Sequence, residues 1–316
     1  MVKVIVGLMG GSVMGGAAKL SNAEQLRPFL SMLSAHKITE VDTARVYNKG
    51  RSEELMGEVS DTTNNFKIAT KAPGFFAGSL TYDNVIKNCN ASLAALKTTR
   101  IDLYYFHGPD SETPLEDSCR AINQLHQEGK FTRFGISNFN NEQVLEIVSL
   151  CKKHSWLLPT VYQGGYNPMF RAMETKLLHT LREHSISFYA YSPLGGGYFS
   201  KTTDQLRTPP AGGRMESMKV FQDMYVNDLS LEMHEQLQKA CEQAGISMKE
   251  ACLRWLLHHS SLNNEDGIIL GGSSTEQMEE NLNACHGGAL PASLVAGFGH
   301  LYTRLVAERG VPAYSL

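Results

Sequence analysis

The sequence predicts an α/β fold, a (β/α)8 TIM barrel, and three observations predict it. Short apolar runs alternate with longer amphipathic stretches along most of the chain. Eight such runs are present, near residues 4, 40, 69, 104, 134, 161, 189 and 268. The length of 316 residues, 42% of them apolar, is ample for one large core. Repeated strand-then-helix units imply parallel strands with helices outside. Eight units suit a closed barrel better than an open doubly wound sheet, so residues 1–316 are read as a single barrel domain.

Residues 2–9 read as the first strand and 24–36 as a helix, capped by Ser21 or Asn22. A strand at 38–42 and a short helix at 52–59 follow, then a strand at 66–72 and a helix at 82–96. The run 101–107 reads as a strand buried on both faces. Residues 115–128 are helical, and Gly129 suits the helix end. Strands at 131–137, 160–163 and 187–191 alternate with helices at 142–154 and 174–184. The rhythm breaks at 192–228, a long segment rich in Gly, Pro and charge that is expected to be a loop after strand 7. Helices at 229–244 and 248–259, the last strand at 266–270 and the last barrel helix at 275–284 come next. An extra C-terminal helix is expected at 291–308, and a tail at 309–316.

A formal net charge of −3 argues against nucleic acid or an anionic membrane as the main partner. The chain lacks the long apolar run of a membrane span, and residues 1–6 read as a strand rather than a signal peptide. Cys89, Cys119, Cys151, Cys241, Cys252 and Cys285 form no C-x-x-C motif and read as free thiols in a reducing, cytoplasmic setting, with no metal site.

Gly7, Gly10, Gly11, Gly15 and Gly16 follow the first strand, but no three of them have the Gly-x-Gly-x-x-Gly spacing of a dinucleotide fingerprint. They read as a tight turn. The chemistry lies elsewhere. Asp42, Tyr47, Lys71 and His107 fall at or just past strand ends, where a parallel barrel gathers its reacting groups on one face. Taken singly, such residues cap helices, pack, or meet solvent. Taken together, they supply what carbonyl reduction requires. The carbonyl oxygen gains negative charge and needs a proton donor and stabilising neighbours. A tyrosine can donate if an ammonium favours its phenolate. A carboxylate can hold that ammonium, and a histidine can orient the carbonyl.

These residues also carry a resemblance. Val41-Asp42-Thr43-Ala44-Arg45-Val46-Tyr47, followed by Ser52-Glu53-Glu54-Leu55-Met56-Gly57, resembles the signature of the aldo-keto reductases. Lys71 in Ala69-Thr70-Lys71 and His107 after Tyr104-Tyr105-Phe106 match the remaining signature positions. Phe106-His107-Gly108-Pro109-Asp110 and Ile269-Leu270-Gly271-Gly272-Ser273-Ser274 look most like the aflatoxin-aldehyde reductase branch. The resemblance implies that Tyr47 is the general acid, that Lys71 lowers its pKa, that Asp42 pairs with Lys71 and that His107 orients the carbonyl. It implies NADPH as the hydride source, a small-molecule carbonyl substrate and no metal, and it admits a homodimer.

The same resemblance makes Ser137, Asn138, Gln163 and Tyr191 nicotinamide contacts, although turn capping, strand-end satisfaction and packing also account for them. Ser192, Pro193, Leu194 and Gly196 begin the long segment, where glycines allow backbone approach to a pyrophosphate. Gly272, Ser273 and Ser274 precede a helix whose free N–H groups suit a phosphate. Gln277, Glu280 and Asn281 stand one turn on, where the family holds the adenosine phosphate. The segment lacks the Lys and Arg that many members place on the 2′-phosphate of NADP+, leaving Lys201 and Arg207 as candidates and NADH as the alternative. Substrate contacts are expected from Arg45, Phe75, Phe76, Tyr198 and the 209–226 region. Two competing classes stay open at this point: a nicotinamide-binding regulatory barrel without turnover, and a barrel enzyme using Lys71 as a Schiff-base nucleophile.

Overall fold

A computed structural model describes the chain apart from residues 10–19, 211–213, 218, 273, 313, 315 and 316, and apart from the side chains of 214 and 217. Eight strands close into a barrel: β1 (Lys3–Gly7), β2 (Glu40–Asp42), β3 (Lys67–Ala72), β4 (Ile101–Phe106), β5 (Phe131–Ser137), β6 (Val161–Gly165), β7 (Ser187–Tyr191) and β8 (Gly267–Gly271). Every pairing is parallel, and β1 pairs with β8 to complete the ring. The glycine-rich turn at 10–16 lies outside the described residues.

Helices α1 (Ala23–Ala35), α2 (Arg51–Glu58), α3 (Ser60–Thr63), α4 (Tyr82–Leu96), α5 (Leu115–Gln127), α6 (Asn141–His154) and α7 (Leu177–Glu183) follow the first strands. The predicted loop at 192–228 is more structured than its composition suggests. It holds a turn of 3-10 helix (Gly195–Ser200) and three short helices, α8 (Thr203–Arg207), α9 (Arg214–Ser217) and α10 (Lys219–Tyr225). Leu206, Met215, Phe221 and Tyr225 are spaced closely enough to anchor these pieces in the core, and all four are buried. The chain ends with α11 (Asp228–Ala244), α12 (Met248–His258), α13 (Thr275–Ala284) and α14 (Ala292–Arg309).

Local chemistry sets the helix boundaries. Asn22 caps α1 by accepting from the Gln25 N–H, and Asn140 with Gln143 forms a full capping box on α6. In α5 the buried residues Ser118, Cys119, Ala121, Ile122 and Leu125 recur every three or four positions, which turns one face to the barrel. The main core lies between strands and helices. A second, smaller cluster fills the barrel lumen: Ile5, Ala69, Leu103, Tyr105, Val161, Tyr189 and Ile269. All six cysteines are free, five of them buried.

One feature departs from the expectation for β4. Asp102 interrupts its apolar run and points to the N-terminal end of the barrel, where it meets Arg133 from β5. Arg133 also donates to Glu40 of β2 at 3.0 Å and to the Tyr189 hydroxyl of β7 at 3.3 Å. Among the described residues no helix is long and apolar enough to cross a membrane, and no group of three or more His, Cys, Asp or Glu could hold a metal.

Candidate active site

The C-terminal strand ends bring the four candidate catalytic residues together, as strand register requires. Asp42 ends β2 beside Ala69, two residues before Lys71 on β3, and Lys71 is the register partner of Tyr105 on β4. The alternating strand period turns Lys71 into the lumen. Lys71 is fully buried, and its Nζ donates to Asp42 Oδ1 at 2.5 Å and to the Thr43 carbonyl at 2.7 Å. Its ammonium stands 5.3 Å from the Tyr47 ring centroid and 5.6 Å from that of Tyr105. Burial pulls the Lys71 pKa down, but Asp42 and Tyr47 outweigh it and hold the group above its ordinary 10.5. Lys71 is therefore a charged ammonium at neutral pH.

The His107 ring lies 5.6 Å from that of Tyr47, nearly edge-on at 77°. Burial first, and the Lys71 charge second, push its pKa down from 6.5 to about 3. A neutral imidazole keeps one N–H to donate and one nitrogen to accept. The second Asp42 oxygen is held too, by Gln163 Nε2 at 2.9 Å. That bond places Gln163 in the Asp42–Lys71 network, a link between β2 and β6 that no local pattern announces.

Tyr47 opens a tight turn, Tyr47–Gly50, in which Asn48 (φ 51°), Lys49 (φ 54°) and Gly50 (φ 93°) are all left-handed. Phe75, also left-handed at φ 70°, lays its ring 5.8 Å from His107. Gly108 makes this contact feasible, since a Cβ there would fall 2.3 Å from the Phe75 ring. Phe75 and Phe76 are exposed, 46% and 69%, and form an apolar edge beside the reacting groups.

One expected substrate contact is corrected. Tyr198 is fully buried, donates its hydroxyl to the Ser230 carbonyl at 2.6 Å and packs on Tyr225 and His234. It anchors the segment after β7 to α11 and does not line the mouth, because its hydroxyl finds a carbonyl partner inside the protein. Arg45 is partly buried, and its Nη1 donates to Glu53 Oε2 at 2.5 Å.

At the ends of β5 and β6, Ser137 and Gln163 are register partners. Asn138, left-handed at φ 66°, donates to the His107 carbonyl at 2.9 Å and to Ser137 Oγ at 3.0 Å, and accepts from the Tyr191 hydroxyl at 2.7 Å. Ser192 is left-handed and accepts a bond from Tyr314 at 2.8 Å. Pro193 is buried, with its carbonyl accepting from Cys252, and Leu194 packs against the core. Where a side chain would stand on Gly196, the Phe221 ring lies 2.4 Å away, so that glycine makes room for α10. Gly196 is partly exposed, and among the described residues a Cβ on Gly197 would have only the Lys201 stem near it, at 3.8 Å. Arg207 lines a groove with Glu235, Lys239 and Glu242.

Ser274 caps α13 by accepting from the Gln277 N–H at 3.3 Å, and Asn281 donates to the Gly271 carbonyl at 3.3 Å. Among the described residues nothing stands within 4 Å of where a Cβ on Gly271 would lie, whereas one on Gly272 would press on Met278. Glu280 accepts from Lys249 at 2.6 Å, and Ser273 lies outside the described residues. Sequence reasoning missed two further residues at the site. Tyr314 stacks edge-on against Tyr191, 5.2 Å between centroids, and covers Gly165. Glu53 was visible within the signature stretch, but nothing local gave it a partner.

Comparison with known proteins agrees with this geometry. The Aldo/keto reductase family matches residues 6–298. Human Aldo-keto reductase family 7 member A3 is 41% identical over 285 residues, covering 84% of this chain and 86% of its own length. Rat Aflatoxin B1 aldehyde reductase member 2 is 38% identical, covering 91% and 82%. Oxidoreductase sirO of Leptosphaeria maculans is 36% identical, covering 93% and 89%. With the barrel, the strand-end tetrad and matches of this extent in hand, the chain belongs to the aldo/keto reductase family and is an oxidoreductase that acts on carbonyl compounds.

Proposed function

We propose that this protein reduces an aldehyde or ketone to an alcohol with NADPH, using Tyr47 as the proton donor. The observation that carries the proposal is the buried Lys71 ammonium, paired with Asp42 at 2.5 Å and facing the Tyr47 ring at 5.3 Å. In this arrangement the ammonium favours the phenolate that Tyr47 becomes after giving up its proton. Asp42, the Thr43 carbonyl and Gln163 keep the charge in place, so no reorganisation is needed when charge develops on the substrate oxygen. His107, neutral through the working pH range, donates an N–H to the carbonyl oxygen and holds it near Tyr47.

The residues present fit a nicotinamide cofactor. Ser137, Asn138 and Gln163 gather a hydroxyl and two amides that match a carboxamide, and Tyr191 adds an adjoining ring. The Ser274-capped start of α13, just after β8, suits a phosphate. When bound, the reduced nicotinamide supplies the hydride. Lys201, beside Gly197, is the cation proposed for the 2′-phosphate. Arg207, among acidic neighbours, suits that task less well.

Relatives named as aflatoxin B1 aldehyde reductases support an aldehyde as the substrate, within a proposed class that takes in dicarbonyls and ketones. The apolar edge of Phe75 and Phe76 supports a substrate with an apolar flank. Free thiols suit a reducing compartment such as the cytoplasm. The charge on Lys71 weighs against a Schiff-base enzyme, which needs a neutral amine.

The test is NADPH consumption against a panel of aldehydes, dicarbonyls and ketones, with wild type and Tyr47→Phe side by side. Turnover falling by about 10²–10⁴ in the variant, with NADPH affinity retained, is the expected result. Equal rates would sink the mechanism. Tight NADPH binding without any turnover would favour a regulatory barrel, and tighter binding of NADH than NADPH would overturn the cofactor assignment.

A further inference from the structure

We infer that Glu53 is a positioning residue for proton delivery: its buried carboxylate clamps the turn that carries Tyr47 onto the strand that carries Lys71. The inference rests on reading Tyr47 and Lys71 as the proton-delivery pair. Glu53 is fully buried in the first turn of α2. One carboxylate oxygen accepts from Arg45 Nη1 at 2.5 Å, and the other from Thr70 Oγ1 at 2.6 Å. Both partners sit next to the chemistry. Arg45 lies two residues before Tyr47, and its backbone N–H donates to the Lys71 carbonyl at 3.3 Å. Thr70 immediately precedes Lys71, and adjacent residues of a strand face opposite ways. Lys71 enters the lumen, so Glu53 grips β3 from the helix side, directly behind it.

The turn itself calls for such a clamp. Asn48 and Lys49, neither of them glycine, are left-handed at φ 51° and 54°, directly after Tyr47. Conformations of this kind persist only where surrounding structure over-determines them. Arg45 before the turn and Glu53 after it close it as an ion pair. Gly50, at φ 93°, gives the guanidinium its space, since a Cβ there would stand 1.6 Å from Arg45 Nη2. The carboxylate therefore joins both flanks of the Tyr47 turn to the Lys71 strand. A buried ion pair kept only for stability would not have to touch these three segments. Geometry at this pair matters because the influence of an ammonium on a phenol falls with their separation.

The experiment uses Glu53→Gln and Thr70→Val, with Tyr47→Phe as the reference that isolates the Tyr47 signal. Ultraviolet absorbance of tyrosinate is followed against pH in the full chain, alongside kcat, KM and thermal unfolding. Glu53→Gln is expected to move the Tyr47 titration by about one pH unit toward the alkaline side. It is expected to lower kcat per folded molecule about tenfold, with the carbonyl KM changed less than about twofold. Thr70→Val, which deletes one hydroxyl and keeps the Arg45 pair, should move both in the same direction by less. If Glu53→Gln fails to fold, Thr70→Val carries the test. Loss of thermal stability with titration and kcat at wild-type values in the folded protein would overturn the inference and leave Glu53 a structural ion pair. The titration needs no turnover, so a shift in it supports the clamp even where Tyr47→Phe shows the proposed reaction to be wrong.

Discussion

At the N-terminal end of the barrel, Arg133 of β5 meets Asp102 of β4, Glu40 of β2 and the Tyr189 hydroxyl of β7. At the C-terminal end, Lys71 of β3 meets Asp42 of β2 and the Thr43 carbonyl, between the rings of Tyr47 and Tyr105. Both clusters put cations and carboxylates inside a ring of strands, and the apolar layer around Leu103, Val161 and Ile269 separates them. They differ in what is left over. In the lower cluster Tyr189 accepts from Arg133 and donates to Glu40 at 3.3 Å, so the donors and acceptors answer one another. In the upper one the ammonium is anchored by Asp42 and the Thr43 carbonyl, with a phenol ring beside it and a neutral imidazole edge-on to that ring. Buried charge thus does not by itself mark an active site. A buried charge facing the proposed proton donor at the strands' C-terminal ends is what sets the upper cluster apart.

Substitutions should separate the two ends. Lys71→Met is expected to have the largest effect. It removes the ammonium that favours the Tyr47 phenolate and leaves Asp42 buried without its cation, so turnover should fall at least about a hundredfold. Denaturant unfolding should also show a loss of about 3 kcal/mol. Arg133→Met should cost less stability, about 1–3 kcal/mol, because its side chain is 26% exposed and solvent screens part of the interaction. Its turnover per folded molecule should stay within about twofold of wild type. A loss of turnover matching that of Lys71→Met would break the distinction between the two clusters.

A further prediction concerns pH. His107 has its folded pKa at about 3 against an ordinary 6.5, so as pH falls the unfolded chain takes up the proton first. Its contribution to stability is therefore complete above 6.5 and is lost as pH drops from 6.5 toward 3. His234, lowered to about 4 mainly by burial, acts in the same direction. Chemical denaturation across this window should show a shallower acid slope for His107→Gln, by at most one proton. The wild-type rate should show no acid-side limb near 6.5 that belongs to His107. Such a limb, abolished in His107→Gln, would mean that the imidazole titrates near its ordinary 6.5 and works only when neutral, which would overturn the lowered pKa.

Much of the fold was legible because its signals are local. The span Tyr82–Leu96 of α4, the strand Phe131–Ser137 and the helix Thr275–Ala284 coincide with the expected ranges. Hydrophobic period, capping residues and the glycine after a helix act within a few positions of one another. Composition misled at 192–228, where Gly and Pro suggested open loop. Buried Phe221 and Tyr225 fold that stretch into short helices over the glycines. Tyr198 was misplaced for the same reason, since proximity to a strand end does not tell which way a ring turns.

The sequence by itself determined the barrel, the order of its strands and the presence of Asp42, Tyr47, Lys71 and His107 at their ends. Those follow from periods of two and 3.6 residues and from the rule that parallel strands share one face for their ends. Only the tertiary structure decided the pairings. Gln163 meets Asp42 across 121 positions of chain, Arg133 meets Glu40 across 93, and Glu53 chooses Arg45 and Thr70 over solvent. The physical reason is that a polar side chain leaving water must find a partner among whatever the closed barrel brings near it. That partner is set by strand stagger and packing over the whole ring, not by the residues on either side.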